Sequence, residues 1–352
     1  MKTQNVIISQ CLERDLEAAI KKCNYDRLFV LTDTNTVENC WPLVCGFACL
    51  QGAKVITIGA SDDNKTVESL CHVWDELQSG SATRHSLLVN IGGGMVTDLG
   101  GFAASTYQRG IQYINIPTTL LAMVDASVGG KTGINYGGLK NQVGVFNLAS
   151  SVILHTCFLK TLDHPNIASG YAEMLKHGLL SDDERWAGLL AVDLASQNLD
   201  LDQMRLMVAS SVAIKQHVVD EDPTEKGMRK VLNLGHTVGH AIESLAMEQG
   251  RTILHGYAVA WGLVCELYMS VALCGFPQEK MRQTVQFIHQ TYGRFDLDCK
   301  DYDRLYELMR HDKKNVGNNI NFALLANVGD VRLDQKASRE LVYEAFDFLR
   351  EG

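Results

Sequence analysis

The sequence is poor in proline, with five in 352 residues, and it has no low-complexity tract and no internal repeat. Nothing therefore marks a linker, and the length suits two domains or one large one. No Cys-x-x-Cys pair occurs among the ten scattered cysteines, which are expected to be reduced core residues, neither disulfides nor zinc ligands. No apolar run is long enough to predict a membrane helix, and the opening residues, MKTQNVIISQ, lack the apolar core of a signal peptide. A cytoplasmic protein without a membrane partner is expected. Basic residues are not in excess either. With 41 acidic and 32 basic side chains the net charge is −9, which argues against nucleic acid, although a small anion needs only a local basic pocket. At 46% hydrophobic and 21% charged residues the composition is that of an ordinary globular protein.

What is present begins with short apolar runs: RLFVLTD from Arg27, KVITIG from Lys54, SLLVNIGGG from Ser86, YINIPTT from Tyr113 and SVILHT from Ser151. Amphipathic stretches, such as 13–23 and 66–78, fit between most of them. Alternating strand and helix predicts a parallel, Rossmann-like α/β sheet covered on both faces. Ligands bind such sheets beyond the carboxyl ends of the strands, where Asp33, Asn35, Gly92–Gly94, Thr118 and Thr119 lie. The triple glycine opens a helix, where backbone amides can approach a pyrophosphate. Thr97 stands where the third small residue of the usual dinucleotide fingerprint belongs. The polar, glycine-rich segment from Ser127 to Gly144 reads as a long functional connection carrying Lys131 and Lys140. Gly130-Lys131-Thr132 is not a phosphate-binding P-loop, because Asp125 occupies the position that needs glycine.

After Leu162 the strand pattern stops. Helical patterns follow at 167–180, 201–219, 229–247, 258–274, 278–292, 302–311 and 337–350, with a late strand or hairpin near Ile320. The expected division is an α/β domain at 1–162 and a mainly α-helical domain at 163–352, with a cleft between them. Read as one helix, RKVLNLGHTVGHAIE places Arg229, Asn233, His236, His240 and Glu243 on one face of an otherwise apolar cylinder. Buried ions need partners, and a metal with an anionic ligand would supply them. Glu173, Lys176 and His177 fall within one turn of an earlier helix, and His255 sits at a helix entrance. A carboxylate plus two imidazoles makes a catalytic zinc set. Spacing alone would also let His236 and His240 ligate as a pair. Thr237, where a metalloprotease carries glutamate, argues against that activity.

Seven ordered motifs, GGGMVTDLGGF, IPTTLLAMVDASVGGKTGIN, LKNQVGVF, ASGYAEMLKHG, RKVLNLGHTVGHAIE, LHGYAVAWG and HDKKN, resemble 3-dehydroquinate synthase of the shikimate pathway over nearly the whole chain. The resemblance implies that family's fold, a homodimer, NAD, and Zn2+ or Co2+. It places metal ligands at Glu173, His236 and His255, proton transfer at His240 with Glu225 as a relay, and a catalytic role at Lys176. Substrate contacts fall on Arg109, Asp125, Lys131, Asn141, Lys176, Lys215, Arg229, Asn233 and Lys313 of the Lys313-Lys314 pair. Cofactor contacts fall on Asp33, Asn35, Asp62, Lys65, Gly93, Gly94, Met95, Asp98, Thr118, Thr119, Lys140 and Thr161. The arginine like Arg109 is implied to reach a neighbouring subunit's site. Thr97, Asp163 and Asn166 depart from the family pattern. The implied reaction takes 3-deoxy-D-arabino-heptulosonate 7-phosphate to 3-dehydroquinate and phosphate through transient oxidation by NAD, phosphate elimination, re-reduction and an intramolecular aldol step. A sugar phosphate cyclase with another substrate, a metal-dependent alcohol or glycerol dehydrogenase, and a non-catalytic binding protein are the alternatives.

Overall fold

A computed structural model describes residues 3–194, 200–310 and 320–352. The chain forms two compact units, Met1–Asp163 with Asp200–Gln216, and His164–Leu199 with His217–Gly352. A division at 162 does not anticipate the return of Asp200–Gln216 to the first unit. Side-chain hydrogen bonds hold that segment there: Lys215 Nζ donates to the Asp125 carbonyl (2.5 Å) and Oδ1 (2.6 Å), and Gln216 Nε2 donates to the Gln4 carbonyl (2.9 Å). Contacts this distant in sequence leave no periodic signal.

The first unit runs β1 (Val6–Ile8), α1 (Leu12–Lys22), β2 (Leu28–Asp33), α2 (Thr34–Asn39), β3 (Lys54–Ile58), α3 (Val67–Ser79), β4 (Leu87–Gly92), α4 (Gly94–Thr106), β5 (Gln112–Pro117), β6 (Lys131–Tyr136), β7 (Leu139–Phe146) and β8 (Ser151–Leu154). Six strands make a sheet in the order β1-β8-β5-β4-β2-β3, with every pairing parallel. β2 and β4 are buried along their whole length, which accounts for their unbroken apolar runs. From β2 the chain moves to β3 on one side, and from β4 it moves to β5 on the other. The carboxyl ends of β2 and β4 thus flank the switch point where α/β sheets bind ligands.

The segment read as a long connection is instead an antiparallel hairpin, β6–β7. Its two-residue turn is Gly137-Gly138, with φ of +60° and +77°, as a tight hairpin turn with two left-handed residues requires. The glycines and polar residues hid the strand alternation. β1, only three residues long, was too short to show in the pattern.

The second unit holds α5 (His164–Leu179) and α6 (Asp183–Leu190). It takes up the chain again beyond Gln216, inside α7 (Leu201–Glu221). It continues with α8 (His236–Glu248), α9 (His255–Cys274), α10 (Gln278–Tyr292), α11 (Tyr302–Arg310), the β9–β10 hairpin (Phe322–Asn327, Asp330–Gln335) and α12 (Arg339–Glu351). α9 is the hub, packing against α5, α8, α10, α12 and β9. By length and composition it could cross a membrane, contrary to the expectation that no run is long enough, but 67% of that window is buried inside the protein. It is apolar on all sides because it has neighbours on all sides.

The helix expected from Arg229 to Met247 is two elements. A 3-10 turn covers Met228–Asn233, and α8 begins at His236. Gly235 separates them at φ +79°, a left-handed conformation that favours glycine. Apolar spacing is helical on both sides of the break, so periodicity reads straight through it. All ten cysteines are free, but only Cys23, Cys40 and Cys265 are buried. Cys11, Cys45, Cys71 and Cys299 are exposed, which corrects the expectation of ten core thiols. A side chain that small fits either face of an amphipathic element.

Candidate active site

α5 is buried from Ile167 to Leu179. Glu173 and Lys176, three residues apart on one face, form an ion pair with side chains 0% and 1% exposed. His236 Nε2, at the start of α8, lies 3.3 Å from Glu173 Oε1, and His255 Nε2, at the start of α9, lies 3.5 Å from the same oxygen. The three ligand atoms are all within 4.8 Å of one another. On the far sides of the rings, His236 Nδ1 is 3.1 Å from the Leu234 carbonyl and His255 Nδ1 is 3.3 Å from Glu243 Oε2. Both imidazoles therefore turn Nε2 towards the carboxylate. The three side chains differ in access: Glu173 is sealed, His236 is 10% exposed and His255 is 29% exposed.

Neither Glu173 oxygen has a hydrogen bond of normal geometry, although buried carboxylates almost always do. A tetrahedral cation that prefers one oxygen and two nitrogens fits this donor set. Burial pushes the His236 imidazole down to about 3, helped by the Lys176 ammonium, so it is neutral and able to ligate. Burial opposes charge on His255 too, but the Glu173 and Glu243 carboxylates outweigh it and raise that ring to about 10. For Glu173, burial favours the acid, yet Lys176 and His236 hold the carboxyl well below its ordinary value. The His240 ring stands 5.2 Å from His236 and 5.9 Å from His255, centroid to centroid, beside the ligand cluster but outside it.

Two close approaches fix the three helices that carry these side chains. A Cβ on Gly256 of α9 would lie 1.9 Å from the Ser169 carbonyl of α5, and one on Gly262 would lie 2.0 Å from the Gly235 carbonyl at the head of α8. Glu266, fully buried in α9, caps that head: Oε2 accepts from Gly235 N at 2.6 Å, and Oε1 from Thr237 N at 3.1 Å and Val238 N at 3.3 Å. A carboxylate at a helix N-terminus is favoured by the unpaired amides there. Sequence reading missed Glu266. Its signal was available, since it is the one charged residue in the otherwise apolar YAVAWGLVCELYMS.

In the first unit, Asp33 Oδ1 caps α2, accepting from Asn35 N (2.9 Å) and Thr36 N (2.8 Å). Gly93 caps α4, and a Cβ there would lie 3.2 Å from Thr119 Cγ2; one on Gly94 would meet Ala126 at 3.1 Å. Met95 follows in the first turn of α4. Lys65, buried, donates to Asp98 Oδ2 and Asn141 Oδ1, both at 2.5 Å. Lys140 pairs with Asp62 at 3.3 Å. The Thr118 amide donates to the Gly92 carbonyl at 2.9 Å, and Thr161 Oγ1 lies 3.6 Å from Cys40 Sγ. Asp125 and Lys215 face each other. Lys131 is exposed at the start of β6. Arg109 is exposed at φ +66° in a turn whose three residues Gln108–Gly110 all have positive φ, strain of the kind that gathers at functional sites.

In the second unit, Arg229 is 2% exposed and its Nη1 donates to the Pro223 carbonyl at 2.7 Å. Asn233 ends the 3-10 turn, and Glu225 sits at φ +59°. Lys313 lies outside the described residues. The row of five on one helix is thus corrected: His236, His240 and Glu243 belong to α8, while Arg229 and Asn233 belong to the turn before Gly235.

Family models described as 3-dehydroquinate synthase N-terminal and 3-dehydroquinate synthase C-terminal match residues 55–169 and 170–315. A 3-dehydroquinate synthase of Parabacteroides distasonis is 52% identical over 352 residues, covering 100% of this chain and 99% of its own. One of Pyrococcus abyssi is 35% identical over 352 residues, covering 99% and 100%. Among solved structures, a 2-deoxy-scyllo-inosose synthase complexed with carbaglucose-6-phosphate, NAD+ and Co2+ superposes with a TM-score of 0.82 at 22% identity, covering 100% of this chain and 99% of that one. A Streptomyces hygroscopicus 2-epi-5-epi-valiolone synthase with NAD+ and Zn2+ bound gives 0.83 at 21%, covering 100% and 98%. At these identities the solved structures establish the shared fold.

Proposed function

The chain belongs to the 3-dehydroquinate synthase family, and from that premise we propose that it converts 3-deoxy-D-arabino-heptulosonate 7-phosphate to 3-dehydroquinate and phosphate, as a phosphate-eliminating carbon–oxygen lyase acting as a cytoplasmic homodimer. The observation that carries the reading is the buried Glu173 carboxylate with two Nε2 atoms turned towards one of its oxygens. Glu173, His236 and His255 would hold a divalent cation. The cofactor positions, from Asp33 to Thr161, would hold NAD at the carboxyl ends of β2 and β4. When bound, the cation supplies polarisation of a substrate oxygen and NAD supplies reversible hydride acceptance, so no NAD is consumed overall.

The chain's own groups do the rest. The substrate carries a carboxylate and a phosphate, and Arg109, Lys131, Lys215, Arg229 and Lys313 are the cations offered to them. Asp125, Asn141 and Asn233 can hydrogen-bond its hydroxyls. Lys176 holds Glu173 ionised. His240, whose ring neighbours His236 and His255, would take and return a proton, with Glu225 as the relay.

The test is to mix pure protein with the heptulosonate phosphate, zinc and catalytic NAD, and to follow phosphate and dehydroquinate. Many turnovers per NAD, without accumulating NADH, are expected. Stoichiometric NADH would mean a dehydrogenase instead. His236→Ala should lose both bound zinc and turnover, and a variant that keeps both would refute the ligand assignment.

A further inference from the structure

We propose that Glu243 is a positioning residue for the cation site: its carboxylate accepts the His255 Nδ1 hydrogen and so fixes the tautomer that presents Nε2 to Glu173. This inference rests on the cation reading of the Glu173–His236–His255 cluster. Three observations carry it. Glu243 Oε2 lies 3.3 Å from His255 Nδ1, while His255 Nε2 lies 3.5 Å from Glu173 Oε1, so one ring is addressed from both ends. The Glu243 side chain is only 14% exposed, so water competes weakly for it. The two rings also have unlike outer partners. His236 Nδ1 meets a neutral backbone carbonyl, and His255 Nδ1 meets a carboxylate.

The consequence is chemical as well as geometric. A carboxylate behind an imidazole makes the opposite nitrogen a stronger donor, and it orients the ring. His255 needs both effects more than His236 does. Both rings stand at the first residue of a helix, but His255 is the more exposed, at 29% against 10%, so less of the protein holds its ring in place. Glu243 lies on α8, the helix that begins with His236. One helix thus supplies one ligand and aligns the other, so the spacing of α8 and α9 sets the bite of the pair.

The test uses full-length protein stripped of metal and titrated with Zn2+ against a chelating indicator, with Co2+ absorption spectra recorded in parallel. Glu243→Ala should bind Zn2+ about 10–100-fold more weakly than the parent and shift the Co2+ bands. Glu243→Gln should lose less, because its amide oxygen still accepts the Nδ1 hydrogen but carries no charge. Circular dichroism of the stripped variants reports whether they fold. A role confined to holding α8 against α9 would lower the stability of the stripped protein and leave affinity and cobalt spectrum at parental values. That result in the folded Ala variant overturns the proposal. A parent that takes up no cation at all would instead bring down the cation reading, and this inference with it.

Discussion

Lys176 and Glu173 are buried together, and a buried ion stripped of its partner costs about 3–5 kcal/mol. A cation on Glu173 would supply the same compensation from the other side. Lys176→Met is therefore expected to destabilise the metal-free protein by about that amount and the zinc-loaded protein by clearly less. Urea titrations with and without zinc measure both, and an equal cost in each would show that no cation sits against Glu173. Lys131 makes the opposite case. It is exposed, so Lys131→Ala should leave stability and zinc content alone but weaken substrate binding by about 1.5–3 kcal/mol, the worth of a hydrogen bond to a charged group. Isothermal titration with substrate and unchanged affinity would remove it from the anion set. The thiols give a third check. Exposed Cys11, Cys45, Cys71 and Cys299 should react quickly with a disulfide reagent at pH 8. Cys157, whose thiol burial raises to about 11, should stay protonated and slow.

At the scale of elements, the head of α8 and the two glycines of α9 decide whether the ligands meet. Gly256→Ala and Gly262→Ala each drive a methyl into backbone that cannot swing away, so each should cost on the order of 1–3 kcal/mol or more and lower zinc affinity together with stability. Gly188→Ala, on the open surface of α6, is the control and should do neither. Melting curves and zinc content read both, and a Gly262→Ala protein with parental values would show that the helices are not held at that spacing. These elements also mark where sequence reading succeeded and failed. The buried parallel strands β2 and β4 were legible, because a strand covered on both faces writes an unbroken apolar run. That Glu173, His236 and His255 come together was legible by residue type and motif. The break at Gly235 was not, because a single left-handed residue leaves the apolar spacing intact on either side. The β6–β7 hairpin was lost among glycines, one pair of which makes its turn. Glu266 went unread although it is the one charge in an apolar helix, because the amides it caps belong to another helix and leave no mark beside it.

For the molecule as a whole, the proposed cofactor positions all fall in the first unit, at the end of β2 or in the segments that follow β2, β3, β4, β5 and β8, and on the β6–β7 hairpin. NAD bound there stabilises the folded chain by mass action, by about 2.7 kcal/mol at a hundred times its dissociation constant. A rise in melting temperature that grows with the logarithm of NAD concentration is expected, and Asp98→Ala, which leaves buried Lys65 without its carboxylate, should blunt it. A thermal scan with no response to NAD would count against the cofactor positions. The three side chains of the proposed cation site are unequally covered, from the sealed Glu173 to His255 at 29%. An ion held there would enter and leave by the His255 edge. A slim scavenger such as dipicolinate should strip the protein faster than a bulky one of equal grip, because reach rather than affinity limits the exit.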